Sequence, residues 1–553
     1  MNRRNFIKLS ALTAISLNPV VRMVGGVTLG SQLASATANL TGYKALVVLF
    51  LDGGNDAMNM FPPTEASTHA QYKTVRYNTT APIYGSMDIN IDDLSNTNFT
   101  VDGNGHYIKN QGTTHPYYDA PQAGDGKSDS AMRSYKMGTY HTTETTNNGN
   151  GNYTPTTTKT GLGINSMMPE LAAMYRAGKV SLISNVGTLI KPIVKADTTD
   201  ASNLPIFLFA HNHQQRAVYT AQAEQLGDTG WAGRIADAWD INAPVGLNLS
   251  YDGMKRMLIG ETTSPLVMPT GTPVSFKTRY NTFGARGDGF ESLLNRFDAI
   301  ANSNAFSSYY GHKTKLAGEL STRLLTAMEQ APDFSTFTAR NTYGQELFNP
   351  EVSMENDVEL EMHDEIRDNI FKQFGAAAKM IKVGKDTLGH SRQIIFVRLP
   401  GFDSHSQQAV NHANNLRSLS LATSDFQKAL EEMGLDDQVL TVSLSEFGRT
   451  LRNNSDGTDH GWGGHSFMMT GDPTFNGGNV FGTVMTDLAL DGVNTYTEKG
   501  RIIPTTSIEQ MLAPALKWFG VDDALMETVL PNLVNFRTDN SNAESAFLKG
   551  VFV

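Results

Sequence analysis

Four runs of the chain carry apolar side chains at nearly every position over the length of a strand and stop at polar turns: KALVVLFL before Asp52, KVSLISNVG from Lys179, RQIIFVRL from Arg392 and QVLTVSL from Gln438. Continuous apolar runs of this length, rich in β-branched residues, predict strands buried on both faces. Two of them follow amphipathic segments of helical period. MMPELAAMYRAG closes at Gly178 and LRSLSLATSDFQKALEEMG at Gly434, each glycine placed as a C-cap. Near the end, TTSIEQMLAPALKWFG sets Ser507 and Gln510 at capping-box spacing and predicts a helix that ends at Gly520. Helix, short turn, apolar strand is the rhythm of an α/β fold with a doubly wound, mostly parallel central sheet and helices on both faces.

The polar pattern marks two interruptions. Residues 64–160 are rich in Thr, Asn, Gly, Ser and Tyr, and HTTETTNNGNGNYTPTTTKTG approaches low complexity, which predicts a surface insertion, partly disordered. Residues 302–365 form a second, mostly helical insertion with stretches such as KLAGELSTRLLTAMEQ. Length leaves one large domain or two open. The expectation adopted is a single α/β domain over residues 39–553 carrying both insertions.

Residues 1–38 belong to a different pattern. MNRRNFIKLSALTAISLNPVV pairs Arg3 and Arg4 with Phe6, Ile7 and Lys8, ahead of an apolar stretch interrupted by Asn18 and Pro19 and too short to span a bilayer. This resembles a twin-arginine signal peptide. Cleavage after Ala34-Ser35-Ala36 or Ala36-Thr37-Ala38 leaves a mature chain of roughly 515 residues. The expected partner during export is the twin-arginine translocase, the destination is periplasmic or extracellular, and no stable membrane anchor is expected.

Charge and composition then narrow the chemistry. A formal net charge of -11 supplies no basic surface for phosphate backbones, so no nucleic-acid partner is expected. The chain has no cysteine, which excludes disulfides, thiolate metal sites and a cysteine nucleophile. No Gly-x-Ser-x-Gly elbow, P-loop or dinucleotide fingerprint follows a strand.

The candidate site lies where the strands run out. The first ends in Asp52 within DGGND; the third continues as PGFDSHSQQ, with Asp403 and His405; the fourth continues as SEFGRT, with Glu446 and Arg449. In open parallel sheets, ligands bind outside the carboxyl ends of the strands. Carboxylates gathered there repel one another unless a divalent metal, an arginine or a proton sits among them. The densest group is NNSDGTDHGWGGH, in which Asp459, His460 and His465 are set among Gly457, Gly461, Gly463 and Gly464. His and Asp are ligands that zinc, manganese or iron accept, and calcium accepts the carboxylates. In FAHNHQQ, His211 and His213 alternate ahead of a helix beginning near Gln214, and either metal or substrate contact suits them. The histidines of the first insertion, His69, His106, His115 and His141, are expected in solvent.

Taken in order, LVVLFLDGGND, FAHNHQQ, TGWAGR, GFDSHSQQ, SEFGRT and GTDHGWGGH resemble the exported domain of unknown function family 1501, within the alkaline phosphatase and sulfatase superfamily. The resemblance implies a central parallel sheet with metal ligands on strand-end loops and hydrolysis of phosphate or sulfate esters. It implies Asp52, Asp403, His405, Asp459, His460 and His465 as candidates for one or more divalent metals. Glu446 stands where the superfamily has an aspartate, and Phe447 where it has a histidine. Ala210 occupies a position at which a nucleophilic serine is expected.

The resulting expectation is an exported, metal-dependent hydrolase of phosphate or sulfate esters. Its metal is zinc, manganese, iron or calcium, and its substrate a small or polymeric anionic ester. Glu446 acts as base or orienter, Arg449 grips the anion, and His211 and His213 contact substrate. The alternative is a non-catalytic envelope or extracellular binding or assembly protein on the same fold.

Overall fold

The computed structural model of the protein describes residues 40–77, 87–94, 101–107, 138–147, 153–239, 241, 245–271, 318–349 and 367–553, with 289, 292, 293 and 296. The expected export signal at 1–38, His115 and parts of both insertions lie outside the described residues.

The apolar runs form strands β1 (Lys44–Asp52), β4 (Val180–Gly187), β7 (Arg392–Pro400) and β8 (Val439–Leu444), numbered with two intervening pairs. Those pairs are β2 (Thr139–Asn147) with β3 (Tyr153–Asn165), and β5 (Asn248–Ser250) with β6 (Leu266–Val267). Further along come β9 (Arg449–Asn453), β10 (Thr458–His460), β11 (Gly464–Met469), β12 (Val480–Gly482) and β13 (Thr506–Ser507). The central sheet has nine strands in the order β12-β4-β11-β8-β1-β7-β5-β6, with β13 also on β4. Every pairing is parallel except those of β11, which runs antiparallel between β4 and β8. The sheet is open, not closed into a barrel.

Strand period sorts β1 onto two cores. Ala45, Val47, Leu49 and Leu51 enter one apolar cluster, and Leu46, Val48 and Phe50 the other. Helices α1 (Pro169–Arg176), α2 (Asp368–Asp386) and α3 (Gln408–Glu432) cover the first face. Helices α4 (His211–Thr220), α5 (Trp231–Trp239), α6 (Ile508–Phe519) and α7 (Asp523–Val529) cover the second. Each fully buried Leu, Val or Phe contributes about 1.5–3 kcal/mol through removal of apolar surface from water, so both faces of β1 anchor the domain. Both predicted caps of α6 are present, whereas Gly178 and Gly434 each fall one residue beyond the caps of α1 and α3, Ala177 and Met433. The Ser507 side chain accepts from the Gln510 amide while the Gln510 side chain accepts from the Ser507 amide, and Gly520 closes the helix with φ +114°.

In the first insertion the described residues pack more tightly than their composition suggests. A helix spans Ala66–Arg76, and β2 pairs antiparallel with β3. His69 and His106, expected in solvent, are buried instead: His69 Nε2 meets the Ile89 carbonyl at 2.8 Å and His106 Nε2 the Glu431 carboxylate at 2.6 Å. His141 is partly buried, with Nε2 2.7 Å from the Ile91 carbonyl. In the second insertion, residues 318–328 are helical. No helix among the described residues is long and apolar enough to cross a membrane.

Candidate metal centre

The carboxyl ends of β1, β7 and β8 lie side by side, with Asp52 level with Pro400 and Phe50 with Leu444. Because β11 is antiparallel, its beginning faces this same edge, and the Gly461–Gly463 turn delivers His460 from β10. Gly53 has φ +118°, and a Cβ there would stand 2.2 Å from the Asp403 amide nitrogen; Gly54 has φ +76°, and its Cβ would strike the Phe447 ring. The two glycines therefore let the strand-end loops close on one another.

Four side chains converge at this edge. His211 Nε2 lies 3.0 Å from His460 Nε2 and 3.3 Å from Asp403 Oδ2. His405 Nε2 lies 3.0 Å from His460 Nε2 and 3.1 Å from Asp403 Oδ1, and Asp403 Oδ1 is 3.3 Å from His460 Nε2. The donor atoms of His211, Asp403 and His460 fall within a single 4.8 Å span.

What surrounds the ring atoms decides which nitrogens face inward. His211 Nδ1 is 2.8 Å from Glu446 Oε1, and His460 Nδ1 is 2.7 Å from the Phe209 carbonyl. Both acceptors require a proton on Nδ1, so in the neutral rings both Nε2 lone pairs point at each other. Two lone pairs 3.0 Å apart repel unless a proton or a cation lies between them. A tetrahedral ion with metal–nitrogen bonds of about 2.0–2.1 Å sets its ligands about 3.3 Å apart, close to the separations here, so the residues fit a metal. The carboxylate behind His211 is the arrangement that orients metal-binding histidines.

The charges are arranged to match. Burial opposes ionisation of Asp403, but the hydrogen bond and charge of Arg449, with His211 and His405, together outweigh it and hold the carboxyl below its usual range. The hydrogen bond to Glu446 raises the His211 pKa, whereas burial lowers that of His460. Glu446 is buried and ringed by donors: the Gly53 amide at 3.0 Å, His211, Gln215 Nε2 at 3.3 Å and the Ser445 hydroxyl at 3.2 Å. A carboxylate so engaged orients its neighbours and is poorly placed to take a proton from a substrate.

Arg449 is equally committed. Buried at 2 % exposure, it donates to Asp403 Oδ1 at 2.9 Å, to the Gly53 carbonyl, and to the hydroxyl and carbonyl of Thr458. It therefore positions Asp403, and the bidentate grip on an anion expected of it is not available in this arrangement.

Other expected ligands sit apart from the converging atoms. Asp52 accepts from Arg398 Nη1 at 2.5 Å and from Gln215 Nε2 at 2.5 Å, so it touches the centre only through Gln215. Asp459 faces Lys499 at 2.7 Å and Asn454 at 2.9 Å, and its Oδ1 is 3.7 Å from His405 Nδ1. His465 is buried against β4, its Nδ1 accepting from the Asn185 amide, and burial pushes its pKa down to about 4. His213 packs its ring 4.1 Å from that of Phe207. Asp56, the last residue of DGGND, is buried in a bidentate pair with Arg76.

Sequence reasoning passed over Gln215, the Phe209 carbonyl and the role of Phe447, whose ring lies 4.8 Å from His211 and 4.9 Å from His460. No motif marks a backbone carbonyl. Gln215 was legible in one respect, since it stands one helical turn after His211.

The latter part of the chain carries a family match. Residues 286–524 match the family described as "Protein of unknown function (DUF1501)". The matched span holds Asp403, His405, Glu446, Arg449 and His460, whereas His211 lies ahead of it. That match supports the family resemblance read from the motifs. No curated protein matches the chain. Among solved structures, one titled "Crystal structure of Ps i-CgsB" is similar at 9% identity and a TM-score of 0.24, over 66% of this chain and 71% of that one. At that distance it has no bearing on the fold.

Proposed function

We propose that the protein is an exported, metal-dependent hydrolase of phosphate or sulfate esters, built on an alkaline phosphatase/sulfatase-like variant of the α/β fold. One observation carries the metal: three imidazole nitrogens and one carboxylate converge at 3.0–3.3 Å, with two of the rings held by their Nδ1 atoms so that Nε2 points inward. Nitrogen-rich ligation favours zinc or iron over calcium, which prefers oxygen. The ester class and the sulfatase-like fold rest on the motif resemblance.

His211, Asp403 and His460 would hold the ion, leaving the position beside the more exposed His405 open to water or an ester oxygen. Such an ion supplies Lewis-acid polarisation of an ester oxygen and lowers the pKa of an adjacent water. Glu446 keeps His211 in the ligating tautomer, the Phe209 carbonyl does the same for His460, and Arg449 fixes Asp403. Phe447 walls the rings with an apolar face, which limits water on that side. Positive charge beside His460 comes from Arg501, whose Nε donates to the His460 carbonyl at 2.9 Å, while Lys499 is paired with Asp459. Ala210 caps α4 without a hydroxyl, so attack by water is favoured over a covalent intermediate.

The test is metal content, measured on mature protein exported through a twin-arginine-competent host and purified without chelator or affinity histidines. About one equivalent, lost in His460→Ala together with at least about a hundredfold of ester turnover, is the expected result. Full turnover in that variant would sink the site. Metal without turnover on any phosphate or sulfate ester would favour the binding or assembly protein, a reading that the committed Arg449 and the apolar Ala210 and Phe447 support.

A further inference from the structure

At the opposite edge of the sheet, where β4 and β8 begin, the structure contains a cavity of about 740 Å³. Its wall is made by the end of α3, the turn around His106, the residue before β4, and the segment Thr338–Gly344. Charged and polar side chains predominate in the lining and His106 is its one ring, which favours a polar ligand, and the volume is that of a small-molecule site.

Most of its charges are already answered. Glu431 accepts from Lys179 at 2.5 Å and lies 2.6 Å from His106 Nε2. Burial works against its charge, but His106 and Lys179 outweigh that and hold its carboxyl down to about 2. Glu432 accepts from the backbone amides of Thr338 and Ala339 at 2.6 Å each, and Asp102 from those of Asn104 and His106.

Lys428 is the exception. It is 6 % exposed and lines the cavity, yet its ammonium has no hydrogen-bond or ion-pair partner among the described residues. Asp425 interacts with it only at longer range. Arg340 lines the same cavity and spends Nη1 on the Phe337 and Ala339 carbonyls, leaving the rest of its guanidinium uncommitted. Asp436 lines it too; its side chain accepts no hydrogen bond from a described side chain, and burial and the nearby Glu431 push its carboxyl above the usual range.

The Lys428 ammonium opens on the cavity and is free to meet a ligand there. A ligand that brings one negative group to Lys428 and Arg340, and hydroxyls to Asp436 and the neighbouring amide side chains, would give these groups the partners they lack. We propose that this cavity is a second ligand site, separate from the candidate metal centre, for a small sugar bearing an anionic group. The inference does not rest on the proposed hydrolase activity.

Calorimetric titration of the mature protein with glucuronate and with glucose 6-phosphate tests it, with glucose and inorganic phosphate as controls. Expected are binding of at least one anionic sugar, affinity for glucose and phosphate weaker by about tenfold or more, and a loss of about tenfold in Arg340→Ala. Lys428→Met should abolish binding. Arg340 is exposed, so its variant remains informative even where Lys428→Met fails to fold. His460→Ala, at the other edge, should bind as the parent does, which separates failure here from failure of the metal centre. Absence of binding by both anionic sugars up to about 10 mM, equal affinity for glucose or phosphate, an unaffected Arg340→Ala, or loss in His460→Ala would each overturn the proposal.

Discussion

The tautomer of His211 depends on Glu446, so the two can be separated by a change that keeps shape and removes charge. Glu446→Gln should leave the fold intact and weaken metal affinity about 10–100-fold, read by competition with a chelator. An unchanged affinity would show that the carboxylate does not orient the ligand. Asp425 offers a second test away from the centre. Burial pushes its carboxyl up to about 7, so the native state favours the protonated form and is penalised as pH rises through the window from about 4 to 7. Asp425→Asn should therefore raise the melting temperature at pH 8, with the gain vanishing near pH 4. Of the metal candidates, Asp403, His405 and His460 were legible because each follows a predicted strand or glycine turn. Asp52 follows one as well, but it is turned aside by Arg398, a partner on the neighbouring strand that no local pattern connects to it.

Helices and strands were read where their signals are local. Ser507→Ala removes the cap that begins α6 and should cost about 1 kcal/mol in chemical denaturation. Gly53→Ala forces a Cβ against the Asp403 backbone at φ +118° and should cost roughly 2 kcal/mol or more, with loss of metal affinity in step. Tolerance of alanine there would mean that the strand-end loops are looser than they look. The direction of β11 was not legible, because GHSFMM alternates too little to reveal its neighbours and strand polarity depends on the path of the preceding turn. Nor was the β2–β3 pair. Its threonines suit a strand as well as a polar loop, and only burial of its ends against the core separates the two.

Acid should unfold the whole domain through several groups at once. His412 and His465 are buried, with pKa values pushed down to about 4, so the unfolded chain binds more protons between about 6.5 and 4 and stability falls across that window as pH drops. Burial opposes the charge of Asp56 and Glu170, but their pairs with Arg76 and Arg417 prevail, lowering both carboxyls; their stabilisation is present above the ordinary carboxylate range and is lost as pH falls below it. Melting temperature followed from pH 8 to 4 should fall most steeply below about 6.5, and His465→Asn should flatten the upper part of that fall. A flat profile would contradict the buried neutral histidines. Periodicity, caps and glycine positions were enough to establish the α/β class, the strands β1, β4, β7 and β8 and the edge at which charged groups gather, since these follow from contacts within a few residues. Which of those groups meet was left to the tertiary fold. His211 reaches His460 and Glu446 across more than two hundred residues, Arg449 fixes Asp403 among the converging atoms and Arg398 draws Asp52 away from them, because side-chain convergence is set by strand order and packing rather than by neighbours in sequence.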